Sequence, residues 1–122
     1  MKEILVVDDS RAIRQAIRRI LESLGFAVAE AEDGQRALDY VRAHGRPDCI
    51  LLDIDMPVMD GLTCLEALRE EQGVDRTMVV MCTTHNSMEK IQGALAGGAS
   101  EYIMKPFDAD IIRAKLEQVN LL

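Results

Sequence analysis

Three observations predict a doubly wound α/β sandwich, a five-stranded parallel sheet with five helices on its two faces. The runs Ile4–Val7, Cys49–Leu52 and Met78–Cys82 are aliphatic or otherwise apolar at every position, as strands covered on both faces must be. Stretches with helical spacing of apolar residues separate them. Polar residues then gather directly after the runs, where ligands bind in sheets of this kind.

Each element has its own signal. The first strand, Ile4–Val7, is followed by Ile13, Ile17, Ile20, Leu21 and Leu24 at three- and four-residue spacing, a helix that Gly25 stops. Phe26–Ala31 is a weaker second strand, and Ala37, Leu38 and Val41 mark the second helix. Cys49–Leu52 leads to a third helix on Leu62, Leu65 and Leu68. Met78–Cys82 leads to a fourth on Met88, Ile91, Ala94 and Leu95, with Asn86-x-x-Glu89 as a capping box. Glu101–Met104 is the weaker fifth strand. The last helix carries Ile112, Leu116 and Val119, and Asp108 can cap it.

A chain of 122 residues fits one domain, expected to span residues 1–122, and 48% hydrophobic residues suffice for its core. The net charge of −7 repels a phosphate backbone, so no direct nucleic-acid partner is expected. No apolar run reaches the roughly 20 residues of a membrane-spanning helix, and acidic residues enter too early for a signal peptide. A cytoplasmic protein without membrane insertion is the expectation. Met1 directly before the first strand suggests a complete short protein. Cys49, Cys64 and Cys82 form no Cys-x-x-Cys pair and lie among apolar neighbours, so they are expected to be reduced packing residues.

The strand ends carry the chemistry. Asp8 and Asp9 follow the first strand, Asp53 the third, Thr83 and Thr84 the fourth, and Lys105-Pro106 the fifth. If the first and third strands are neighbours, three carboxylates converge, and each like-charge pair at ~4 Å costs on the order of 4 kcal/mol at an effective dielectric of 20. A hard, oxygen-preferring cation relieves this, and few-carboxylate sites that keep water suit Mg²⁺. Asp9 and Asp53 are expected to bind it directly, with Asp8 acting through water. A carboxylate is also a nucleophile toward phosphorus. Asp53 is the best placed, with the Lys105 ammonium and Thr83 hydroxyl available to transferred oxygens. Any one strand-end Asp is commonly just a turn former or helix cap. The combination is what points to phosphoryl transfer.

These residues carry a family resemblance. Val6-Val7-Asp8-Asp9-Ser10, the stretch Leu51-Leu52-Asp53-Ile54-Asp55-Met56-Pro57-Val58-Met59-Asp60-Gly61, Thr83, and Gly97-Gly98-Ala99-Ser100-Glu101-Tyr102-Ile103-Met104-Lys105-Pro106-Phe107 resemble the receiver domain of two-component response regulators. In length the chain is similar to the stand-alone, CheY-like members, whose flavodoxin-like strand order is 2-1-3-4-5.

The resemblance implies that Asp53 takes a phosphoryl group from a phosphohistidine of a sensor histidine kinase or a histidine phosphotransfer protein. It implies that Asp8 and Asp9 organise Mg²⁺, that Asp55 gives a backbone carbonyl to the metal, and that Thr83 moves toward the phosphoryl group. Tyr102 matches the aromatic switch and Lys105 the site lysine, with a cis Lys105-Pro106 bond. The Asp55 carboxylate would add a fourth negative group, tightening Mg²⁺ or altering attack by water on the acyl phosphate. His85 holds the other position that tunes hydrolysis, or is a solvated loop histidine; His44 looks incidental. Arg11, Arg14, Arg18 and Arg19 face away from the apolar stripe, as a solvated face or as the docking surface for the phosphodonor protein. The fourth helix, fifth strand and fifth helix would be the output face toward a downstream protein, and Gly93, Gly97 and Gly98 would loosen the fourth helix or serve close packing. The pathway would be chemotaxis or another phosphorelay. The domain would catalyse only its own phosphoryl transfer and hydrolysis.

Two other readings stay open. A receiver-shaped adaptor would bind partners without the phosphate. Asp53-Ile54-Asp55 also resembles the start of haloacid-dehalogenase-type phosphatases, although there the nucleophile follows the first core strand of a longer chain. No Gly-x-Gly-x-x-Gly or Gly-x-x-x-x-Gly-Lys follows any strand, which weakens a nucleotide-binding reading.

Overall fold

Period-two alternation along the central strands divides their apolar side chains between two layers, and this split organises the molecule. The computed structural model describes residues 2–71, 77–83, 88–96, 98–105 and 107–122. The chain runs β1 (Glu3–Val7), α1 (Arg11–Ser23), β2 (Ala27–Ala31), α2 (Gly34–His44), β3 (Cys49–Asp53), α3 (Gly61–Glu70), β4 (Met78–Thr83), α4 (Met88–Ala96), β5 (Glu101–Met104) and α5 (Ala109–Gln118). All strands pair in parallel in the order β2-β1-β3-β4-β5, as the resemblance implies.

On one face Leu5, Val7, Ile50, Leu52, Val79 and Met81 pack against Ala37, Leu38 and Val41 of α2, Leu65 and Leu68 of α3 and Ala94 of α4. On the other, Ile4, Val6, Cys49, Leu51, Val80 and Cys82 meet Ile17 and Leu21 of α1 and Ile112 and Leu116 of α5. Burial of both faces is why β1, β3 and β4 read as unbroken apolar runs. The weaker sequence signals of β2 and β5 follow from their place at the edges of the sheet: apart from Ala31 and Ile103 their residues are only partly covered.

Helix ends follow local chemistry. Ser10, Asp33, Asp60 and Asp108 each accept a backbone N–H from three residues on, which caps α1, α2, α3 and α5. Gly25, at φ 93°, ends the first helical pattern as expected. All three cysteines are buried and free, and burial pushes the Cys64 and Cys82 thiols up to about 12.

Some expectations shift. Of the residues expected on the apolar stripe of α4, Ala94 is buried and Leu95 is exposed, while the Met88 and Ile91 side chains lie outside those described. Gly93 has open space around it and serves no close packing, whereas Gly98 stands at φ 104° with its carbonyl held by Arg69. Asp53 and Thr83 are the last residues of their strands rather than the first beyond them. Thr84, His85, the Asn86 capping box, Gly97 and the Lys105-Pro106 bond lie outside the described residues. Among the described residues no helix is long and apolar enough to cross a membrane.

Candidate functional site

The strand register builds the site. Val7 pairs with Leu52, so the next residues, Asp8 and Asp53, stand side by side across neighbouring strands. Asp53 pairs with Cys82, which puts Thr83 one residue beyond; Thr83 pairs with Met104, which puts Lys105 one beyond that. Asp8, Asp53 and Lys105 continue the alternating rows of Val6, Leu51 and Ile103, so they leave the sheet toward its α1/α5 face.

Asp8, Asp9 and Asp53 each offer a carboxylate oxygen, and these oxygens all lie within 4.8 Å of one another. Asp8 and Asp53 are buried, while Asp9 is exposed. The Lys105 Nζ donates to Asp8 Oδ2 at 2.6 Å and stands 3.5 Å from Asp53 Oδ1. Asp8 is fixed from several sides: its N–H donates to the Ala31 carbonyl, and its Oδ1 accepts from the Ser10 N–H at 2.8 Å. The cap of α1 is therefore built into the acidic pair.

Burial pushes the Asp53 carboxyl up to about 6; Asp8 adds to this, and Lys105 with the Asp55 backbone N–H works against it. Burial alone would lower the Lys105 ammonium, but the Asp8 hydrogen bond and the charges of Asp53 and Asp8 leave it raised. The result is a permanent cation facing a carboxylate that carries its negative charge at a cost. Three carboxylates with one ammonium among them form an oxygen-only donor set with excess negative charge, and this fits a hard divalent cation.

Asp55 is not among the clustered carboxylates. With Asp9, Ile54, Met56, Pro57, Asp60 and Leu62 it lines a cleft of about 400 Å³ beside the cluster. The turn between β3 and α3 is tight. A Cβ on Gly61 would lie 2.2 Å from the Asp53 carbonyl oxygen and 2.7 Å from the Ile54 Cα, so glycine alone lets α3 start against the end of β3. Gly61 stands in the stretch that follows Asp53, and the need for glycine there is a close approach fixed only in three dimensions.

Thr83 is fully buried at the end of β4. Tyr102 lies half-buried on β5, with the Lys115 Nζ 5.5 Å from its ring centroid. Glu101 accepts from the Tyr102 N–H, pairs with Lys115 at 3.5 Å and accepts from Gln118. Of the four α1 arginines, only Arg11 and Arg19 are exposed. Arg14 and Arg18 instead reach across to Glu30 on β2, at 3.1 and 2.7 Å. No sequence pattern signalled that pairing, because it joins a helix to a strand sixteen and twelve residues away.

Comparison with known proteins shows the family. The family model described as response regulator receiver domain matches residues 4–117. Response regulator MprA of Mycobacterium sp. (strain KMS) is 41% identical over 113 residues, 93% of this chain and 48% of that protein. The chain thus spans about half the length of that relative. Chemotaxis protein CheY of Bacillus subtilis is 38% identical over 118 residues, 96% of this chain and 93% of that one. Among solved structures, chemotaxis protein CheY4 of Vibrio cholerae superposes with a TM-score of 0.92 at 37% identity, covering 98% of each chain. A CheY-like receiver domain protein from Methanospirillum hungatei gives 0.90 at 30% identity, covering 98% of this chain and 93% of that one. Receiver domains are signalling modules that partner with histidine kinases or phosphotransfer proteins. By its fold, by its strand-end residues and by these matches, the chain belongs to the response regulator receiver domain family.

Proposed function

We propose that the chain, as one receiver domain over residues 1–122, accepts a phosphoryl group on Asp53 from a phosphohistidine donor. The observation that carries this is the meeting of Asp8, Asp9 and Asp53 within 4.8 Å, with the Lys105 ammonium on two of them. An Asp53 carboxylate oxygen attacks phosphorus, the phosphorus–nitrogen bond breaks, and the electron pair leaves with the imidazole. Asp53 becomes an acyl phosphate. Lys105 holds the approaching phosphoryl oxygens as a point charge, and the Thr83 hydroxyl donates to them. The cleft lined by Asp9, Asp55 and Met56 supports an approach from solvent on the α3 side.

Asp8, Asp9 and Asp53 would hold Mg²⁺, with the Asp55 backbone carbonyl completing the protein's share. Bound there, the ion neutralises charge on the transferred oxygens. The Asp55 side chain adds negative charge beside the site, which supports a tighter metal hold or altered hydrolysis. The domain catalyses only its own phosphorylation and dephosphorylation. Thr83 and Tyr102 then switch the surface of α4, β5 and α5, which binds a downstream protein in the cytoplasm as part of chemotaxis or another phosphorelay.

The test is intact-mass measurement after incubation with Mg²⁺ and acetyl phosphate, beside Asp53→Ala and a chelated control. One phosphoryl addition requiring both metal and Asp53 is expected. No addition to folded, Mg²⁺-binding protein would favour an adaptor that keeps the fold without the chemistry.

A further inference from the structure

Arg14 is a cation on α1 that the phosphoryl chemistry does not use, yet it is mostly buried, with its side chain 13% exposed. Its Nη1 donates to the Asp8 backbone carbonyl at 2.5 Å, and its Nε donates to Glu30 at 3.1 Å. Glu30 is in turn held at its second oxygen by Arg18 at 2.7 Å. Burial raises the Glu30 carboxyl, but hydrogen bonds from Arg18 and Arg14 outweigh it and leave the group below the usual carboxylate range. Glu30 therefore stays a fixed anion that aims the Arg14 fork.

The Asp8 carbonyl and the Asp9 N–H belong to one planar peptide. Asp8 is otherwise held at its N–H and at both carboxylate oxygens. The Arg14 bond adds the remaining constraint, because it sets the plane of the peptide that leads into Asp9. Asp9 is the exposed member of the acidic cluster and has no buried packing of its own to orient it.

We propose that Arg14, braced by Glu30, is a positioning residue that orients the Asp8–Asp9 peptide so that Asp9 faces Asp53 for Mg²⁺. The inference rests on the metal reading above. It predicts the opposite sign from simple electrostatics. Removing a positive charge near three carboxylates, taken alone, strengthens cation binding, whereas a positioning loss weakens it. Arg18 provides the control, since it shares Glu30 but no hydrogen bond joins it to Asp8.

The experiment is calorimetric Mg²⁺ titration of the full chain at fixed ionic strength for wild type, Arg14→Gln and Arg18→Gln, with thermal unfolding in chelator alongside. Each variant loses an ion pair with Glu30, so comparable losses of stability are expected. Mg²⁺ affinity separates them: about tenfold weaker for Arg14→Gln, the scale of losing a group that orients a metal ligand, and unchanged or tighter for Arg18→Gln. If Arg14→Gln does not fold, Arg14→Lys takes its place; a lysine cannot serve the carbonyl and Glu30 with the same fork, so weaker binding is again expected. Equal affinities in the two variants would overturn the positioning role and leave the metal site standing. Wild type that binds no Mg²⁺ would overturn both.

Discussion

Lys105 and Asp8 are 97 residues apart in the chain and meet at 2.6 Å, with side chains only 9% and 3% exposed. The bond ties the end of β5 to the end of β1 across β3 and β4, and its cation also stands beside Asp53. Removing Lys105 leaves two buried carboxylates facing each other. Lys105→Met is expected to lower the stability of metal-free protein at neutral pH by about 3–5 kcal/mol, as breaking one side of a buried ion pair does. The loss should shrink when Mg²⁺ is added. Urea unfolding with and without Mg²⁺ measures both.

Asp53 gives a pH dependence of defined sign. Its carboxyl is raised from 3.8 to about 6 in the metal-free fold, so the folded state holds this proton to higher pH than the unfolded chain. The contribution of this group to stability is full below about pH 4 and falls as pH rises toward 6. Asp53→Asn cannot ionise. In chelator the variant should therefore gain on wild type across that window, by on the order of 2 kcal/mol. Paired urea titrations at pH 4.5 and pH 7 would show it, and a constant difference would contradict the burial argument.

Two glycines should respond in opposite directions to the same substitution. Gly61→Ala drives a methyl group into the Asp53 carbonyl and should destabilise by about 2–4 kcal/mol, displacing the acceptor as it does so. Gly93→Ala meets nothing within 4 Å and should stabilise α4 by about 0.5–1 kcal/mol. Thermal unfolding of the two variants side by side tests this, with acetyl phosphate labelling as a second readout for Gly61→Ala.

Val58 is a β-branched residue at φ 68° and 82% exposed, in the turn beside the acceptor. Left-handed backbone costs an ordinary residue roughly 1–2 kcal/mol, and asparagine tolerates it better. Val58→Asn should raise stability by about 0.5–1 kcal/mol without loss of phosphorylation. A lower melting temperature would show that Val58 makes a contact outweighing its strain.

The sequence by itself determined the sheet and its face-to-face packing. Strands such as Cys49–Asp53, buried on both sides, need apolar residues at every position, and that requirement is written one residue at a time. The helices were legible for the same local reason, through spacing, Gly25 and the Asp108 cap. That Asp8, Asp9, Asp53, Thr83 and Lys105 stand at one edge was legible because a parallel sheet delivers every strand end there. Only the tertiary structure decided what depends on register and close approach. The 2.6 Å bond from Lys105 to Asp8, the need for glycine at position 61 and the turn of Arg14 from an expected solvent face to the Asp8 carbonyl all join distant segments. Periodicity records which face of an element is buried. It does not record which polar groups on neighbouring elements come within hydrogen-bonding distance, since those contacts form only when the strands are paired and the helices packed.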